Sequence, residues 1–212
     1  MFVLTQQNSI ARQYITELRD VETQKQRARF RKNLERLGEI LGYELSKSLN
    51  YTNKVVNTPL QQTEGHELAD EIVIGTILRA GLPLYQGLMN IFEMADSAFI
   101  GAYRKEGAEE ISIAADYVAA PSLKGKILIL ADPMLATGKS LVEAVNLLQR
   151  SGKAKHIHIV AAVASKPGVA YLEKKLSNIS LWLGTLDGKL NQNAYIVPGL
   201  GDAGDLSFGE KL

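Results

Sequence analysis

Apolar and polar positions change rhythm about a third of the way along the chain. Before residue 50 the period is helical: Phe30, Leu34, Leu37 and Leu41 recur at i, i+4, i+7 and i+11, one apolar stripe of a helix. After residue 71, short apolar runs rich in β-branched residues alternate with amphipathic stretches. Runs at 71–78, 97–103, 126–131, 156–163 and 179–185 predict strands; 82–92, 139–150 and 169–176 predict helices between them. Strands apolar on both faces and separated by helices predict an α/β fold with a mainly parallel sheet covered on both sides. Such a sheet takes ligands at the carboxyl ends of its strands. Chemistry is therefore expected in the loops after residues 78, 103, 131, 163 and 185.

Two segments break the alternation. Residues 104–124 are charged first and then weakly alternating, which predicts a mobile hairpin or arm. From Asn191 on, Gly199, Gly201, Gly204 and Gly209 punctuate the chain, with Asp202 and Asp205 between them. That tail is too ordered in composition for a frayed end and too glycine-rich for a helix. No repeat or linker divides the chain. The reading is one domain over 1–212, with an N-terminal helical segment at about 10–50, the arm at about 104–124 and a C-terminal segment at about 187–212.

Composition narrows the chemistry. There are no cysteines, which removes disulfides, thiolate nucleophiles and Cys-ligated metals. Twenty-four Lys and Arg against 23 Asp and Glu leave a net charge of +1, so no global field attracts nucleic acid or an anionic membrane. An anionic ligand must be held by local geometry. Residues 1–9 carry no basic region and only a short apolar run, and no apolar run approaches the roughly 20 residues that span a bilayer. A cytoplasmic protein is expected, with neither membrane nor nucleic acid as partner. Lys25, Arg27, Arg29, Arg31, Lys32 and Arg36 crowd one helical segment, either as a solvated face or as a face for an anion or a partner. His156 and His158 share one side of a strand with no third ligand in view, so no metal site is expected.

The strongest chemical feature is the stretch from Ile127 to Ser140, ILILADPMLATGKS. A buried strand ends in Asp132, a turn of small residues follows, and a helix begins. Amides of Ala136 to Ser140 can point into one concavity at the positive end of that helix, which suits a phosphate. Thr137 and Ser140 add hydroxyls, and Asp132 can accept hydrogen bonds from sugar hydroxyls beside it. Gly138-Lys139-Ser140 imitates the end of a Walker A loop, but Pro133 stands where that motif needs its first glycine.

Together with other blocks this stretch resembles the uracil phosphoribosyltransferase family. The resemblance is carried by Ile77-Leu78-Arg79-Ala80-Gly81-Leu82, Tyr103-Arg104, Asp132 to Gly138, and Tyr195 to Asp205 (YIVPGLGDAGD), with Phe30-Arg31 and Leu190-Asn191 in support. It covers the chain from about residue 10, and the tail block is specific to the uracil branch. It implies a phosphoribosyltransferase (Rossmann-like) parallel-sheet core, with a flexible arm and a C-terminal base-binding hood. The implied reaction joins uracil to phosphoribosyl pyrophosphate (PRPP), giving UMP and pyrophosphate, with Mg²⁺ as cofactor. The residues carried over for PRPP are Arg79, Arg104, Asp132, Pro133, Met134, Leu135, Ala136, Thr137, Gly138, Lys139, Ser140 and Asp202. Those for uracil are Ile196, Gly201, Asp202 and Ala203, mostly through backbone. Arg79, Asp132 and Asp202 are the expected catalytic residues. The resemblance also implies a homodimer or higher homo-oligomer, and GTP as an effector in some members.

Two departures stand out. Lys139 occupies a position where the family usually has a second glycine, and Glu210 follows Gly209 where threonine is common. If position 139 needs a positive φ, lysine there is strained; its charge could instead hold a phosphate. The competing readings are a weakly catalytic sensor of the same fold that binds PRPP or nucleotide, argued by Lys139, and an RNA-binding pyrimidine regulator.

Overall fold

The computed structural model describes residues 1–104 and 111–210. The predicted strands and helices after residue 71 all form. Strands β4 (Ile72–Leu78), β7 (Ile127–Ala131), β9 (His156–Ser165) and β10 (Ile179–Asp187) run parallel, as does β5 (Asp96–Arg104) beside β4. The sheet order is β1-β10-β9-β7-β4-β5-β6, where β1 is the short Phe2–Val3 and β6 is Ile111–Ala119. Only β6 is antiparallel, pairing with β5 at the edge. The expected arm at 104–124 thus begins as a hairpin, and its connection at 105–110 lies outside the described residues.

Alternate side chains of the parallel strands feed two cores, as period 2 requires. On one face Ile72, Ile74 and Ile129 meet Leu34, Leu37 and Leu84 of helices α2 (Arg27–Ser46) and α3 (Leu82–Ile91). On the other, Val73, Leu128 and Ile159 meet Leu141, Val145 and Leu172 of α4 (Lys139–Leu148) and α5 (Lys166–Lys175). Helix α1 (Ala11–Arg19) packs against α2.

Helices α2 and α3 touch backbone to backbone. A methyl group at Gly87 would meet the Glu35 carbonyl, with the Glu39 amide nitrogen at 2.8 Å, and one at Gly38 would meet the Leu84 carbonyl. We expect Gly87→Ala to lower stability by about 1–3 kcal/mol, because neither helix can retreat from a packed core. Urea unfolding checks this, and a midpoint unmoved by the substitution would show that the crossing yields.

Two features differ from the sequence expectation. Residues 51–68 form a hairpin, Tyr51–Asn57 with Gln62–Leu68, exposed along almost its whole length. With no buried face there was no apolar period to read. The tail also contains a helix, Ala203–Phe208, against the expectation that its glycines forbid one. Asp202 overrides their low propensity: its carboxylate caps the helix by accepting from the Gly204 and Asp205 amides at 2.8 and 3.0 Å. His156 and His158 do share a face, with ring centroids 4.7 Å apart. His158 Nδ1 accepts the Trp182 indole N–H, and burial followed by the neighbouring His156 lowers its pKa to about 4. It is a satisfied core residue. Among the described residues no helix is long and apolar enough to cross a membrane.

Candidate active site

Three chain segments converge at the carboxyl ends of β4 and β7. They are the turn after β4 (78–81), the loop after β7 (132–140) and the tail from 193 to 204, and together they line a cleft of about 280 Å³. The first two are locked to each other from below. Thr76 Oγ1 donates to the Ala131 carbonyl at 3.1 Å, and Gly81 packs so closely over Thr76 that no side chain would fit.

The loop after β7 is held open by its surroundings. Gly138 has φ +77°, a conformation that favours glycine, and it starts α4 without a capping side chain. The first turn of α4 lines the cleft from Gly138 to Leu141, with Thr137 beside it, whose Oγ1 accepts the Lys139 amide at 3.4 Å. Behind the loop, Ser165 caps α5 through the Gly168 amide at 2.9 Å and donates to the Ala136 carbonyl at 2.6 Å. Gly168 then packs on Ala136 with no room for a Cβ. This brace from β9 and α5 was not foreseen in the sequence, where the helix was expected only from residue 169.

Asp132 sits at the floor of the cleft, partly accessible from it but enclosed by protein. Burial raises its carboxyl from 3.8 to about 6; the Met134 amide, at 3.2 Å, pulls weakly the other way. Among the described residues no cation is a cause of its shift, so hydroxyl donors of a ligand would suit it.

Arg79 follows β4, and the Leu78–Arg79 peptide is cis. Its Nη2 donates to Asp205 Oδ1 at 2.9 Å and to the Gly209 carbonyl. The tail is pinned at several points. Asp187 Oδ2 accepts the Gly199 amide at 2.9 Å while its Oδ1 takes Arg19 at 2.7 Å. Arg31 Nη1 donates to the Ser207 carbonyl at 2.7 Å. The basic segment seen in the sequence thus spends Arg31 on the tail and Arg29 on Glu17, whose carboxyl Arg29, Asn33 and Gln13 hold at about 2.

Of the residues expected from the sequence, Arg79, Asp132, Met134, Ala136, Thr137, Gly138, Lys139, Ser140, Ile196, Gly201, Asp202 and Ala203 all line this one cleft. Pro133 and Leu135 do not. Both are buried beneath it, Leu135 in the core and Pro133 accepting the Val163 amide. Arg104 ends β5 in backbone, and its side chain lies outside the described residues. Asn193, Ala194 and Tyr195 also line the cleft and were not among the expected contacts. Asn191 was the available signal: its Oδ1 accepts the amides of Asn193 and Tyr195, a turn that aims this loop inward.

Lys139 is the first residue of α4 and does not have a positive φ. The strain account of this departure falls. If its charge instead serves a phosphate, Lys139→Gln should weaken PRPP binding by about 1–3 kcal/mol and flatten its salt dependence. An unchanged KM for PRPP across salt concentrations would count against a phosphate role.

The residues present suit a metal only in part. Among the described residues no three acidic or histidine side chains come together as a cage. Asp132 and Asp202 are carboxylates on the cleft, and Mg²⁺ is commonly held by one or two carboxylates together with substrate phosphates.

The family model described as uracil phosphoribosyltransferase matches residues 4–210. A protein of Porphyromonas gingivalis with that name is 43% identical over 208 residues, covering 97% of this chain and 96% of its own. One from Methanococcus vannielii is 40% identical over 199 residues, covering 92% of this chain and 84% of its own. A solved structure of an Aquifex aeolicus protein is 33% identical and superposes with a TM-score of 0.87, covering 96% of each chain.

Proposed function

The chain belongs to the uracil phosphoribosyltransferase family, and from that premise we propose how its cleft performs the transfer. The protein is a phosphoribosyltransferase: uracil and PRPP give UMP and pyrophosphate, a salvage reaction. Its substrates are two small molecules.

Each wall of the cleft takes one part of the chemistry. The α4 amides, Thr137 and Ser140 hold the 5-phosphate of PRPP, where the helix N-terminus favours a dianion. Asp132 accepts from the ribose 2- and 3-hydroxyls, which favour its ionised form. Arg79 faces the pyrophosphate and stabilises the charge that develops as it leaves C1. Bound with PRPP, with Asp132 and Asp202 as the protein's available carboxylates, Mg²⁺ would neutralise the leaving group's charge. The hood, through Ile196, Gly201, Asp202 and Ala203, presents backbone groups to the uracil imide edge and aims N1 at C1. The C1–O bond to pyrophosphate breaks, the C1–N1 bond forms, and the N1 proton is lost to solvent. Positioning supplies much of the rate, since no side chain is needed as a nucleophile.

The observation that carries this reading is the convergence of the α4 N-terminus, Arg79 and the tail on one cleft. A spectrophotometric assay with uracil, PRPP and Mg²⁺ tests it, with formation of UMP and pyrophosphate expected. Tight PRPP binding with no turnover would favour the sensor instead. A homo-oligomeric state and activation by GTP belong to the same reading; light scattering and the assay repeated with GTP check them.

A further inference from the structure

Asp205 lies just beyond the cleft, yet it holds the side chain on which the pyrophosphate subsite depends. Arg79 Nη2 commits its donors to the Asp205 carboxylate at 2.9 Å and to the Gly209 carbonyl. Arg79 Nε is buried and makes no hydrogen bond. The guanidinium is therefore fixed through Nη2 to the tail, while Arg79 also lines the cleft. The tail that supplies this anchor is the same short helix whose N-cap, Asp202, lines the base side of the cleft. Arg31 also holds that helix, through the Ser207 carbonyl.

We infer that Asp205 is a positioning residue: through its ion pair with Arg79 it makes the base-reading hood and the pyrophosphate subsite one mechanical unit. The inference rests on the proposed role of Arg79 at pyrophosphate. Without Asp205, the arginine's long side chain regains rotamers and its charge is no longer aimed. The Asp205 backbone amide still donates to Asp202 Oδ1 in any variant, so the cap of the helix survives substitution.

Asp205→Asn, Asp205→Glu, Arg79→Gln and the Asp205→Asn/Arg79→Gln double variant are compared with the parent enzyme. The measurements are the KM for PRPP, the inhibition constant of pyrophosphate and the KM for uracil. Asp205→Asn should raise the first two about 10-fold and the KM for uracil less than about 3-fold, while Asp205→Glu recovers part of the loss. In the Arg79→Gln background, Asp205→Asn should add almost nothing, because the pair acts as a unit. A purely structural role would shift both substrates alike and add to the Arg79 effect; either result overturns the inference. If Arg79→Gln itself leaves PRPP and pyrophosphate unaffected, the assignment of Arg79 fails, and this inference with it.

Discussion

Offered uracil, 5-fluorouracil and cytosine at saturating PRPP and Mg²⁺, the enzyme should turn over the first two and discriminate against cytosine by roughly 30-fold to more than 10⁴-fold in kcat/KM. The contacts assigned to the base lie at Ile196 and at 201–203, and Ile196 and Ala203 are buried. Uracil presents an N3–H donor between two carbonyl acceptors. Cytosine presents an N3 acceptor and an amino donor at C4, so a backbone carbonyl would face a lone pair and an amide N–H another N–H. An amide side chain could flip to accommodate this, but these groups cannot. Asp187 and Arg19 pin the Gly199 turn, and Asp202 caps the helix that follows. Each buried mismatch costs about 1–3 kcal/mol, and two compound to the range given. A 5-fluoro group leaves the edge unchanged. Comparable rates with cytosine would sink the assignment of the tail as the base reader.

Asp132→Asn should divide function from stability. Loss of charge-assisted hydrogen bonds to two ribose hydroxyls predicts kcat/KM for PRPP lower by roughly 30- to 1000-fold. Stability should move the other way. In the folded protein the carboxyl titrates near 6 rather than 3.8, so folding favours its protonated form. That contribution is fully present below 3.8 and is lost as pH rises through 6. At about pH 8 the ionised Asp132 therefore costs about 3 kcal/mol that asparagine does not. Thermal melts of the two proteins should coincide at about pH 3 and separate toward neutrality, with the variant the more stable. PRPP hydroxyls would relieve the same cost on binding, so saturating PRPP should narrow the gap. Unaltered kinetics would reduce Asp132 to a turn residue, and melts that stay parallel across pH would show that it is not desolvated.

The parallel core and the phosphate loop were legible because their signals are local. The central strands β4, β7 and β9 are buried on both faces and read as continuous apolar runs, and a carboxylate, a small-residue turn and a helix start are contiguous between 132 and 140. What the sequence hid was non-local or lacked a period. The hairpin at 51–68 has no buried face, so nothing alternates. The Ser165 brace and the Arg79–Asp205 pair join residues far apart in the chain, and neither has a spacing to recognise. The helix at Ala203–Phe208 was missed because propensity counts its glycines and ignores a cap. Pro133 and Leu135 entered the expected contact set by belonging to a contiguous motif, although the loop turns them toward the core.

The hood's attachment also sets when this protein can become active. Ribosomes deliver Arg31 176 residues before the Ser207 carbonyl that it binds, and Arg79 126 residues before Asp205. The sheet needs nothing from the tail, but the core on the α2 side does: Ile196, Leu200 and Ala203 are buried in it. A released chain that stops near residue 195 would then keep the strands of the sheet but lack part of that core and the wall assigned to the base. Such a truncated chain should be cut by protease faster than the full chain and make no UMP. The same logic bears on how the protein is handled: a bulky fusion placed directly after Gly209 would press on the carbonyl that holds Arg79, whereas an N-terminal tag would meet only an edge strand.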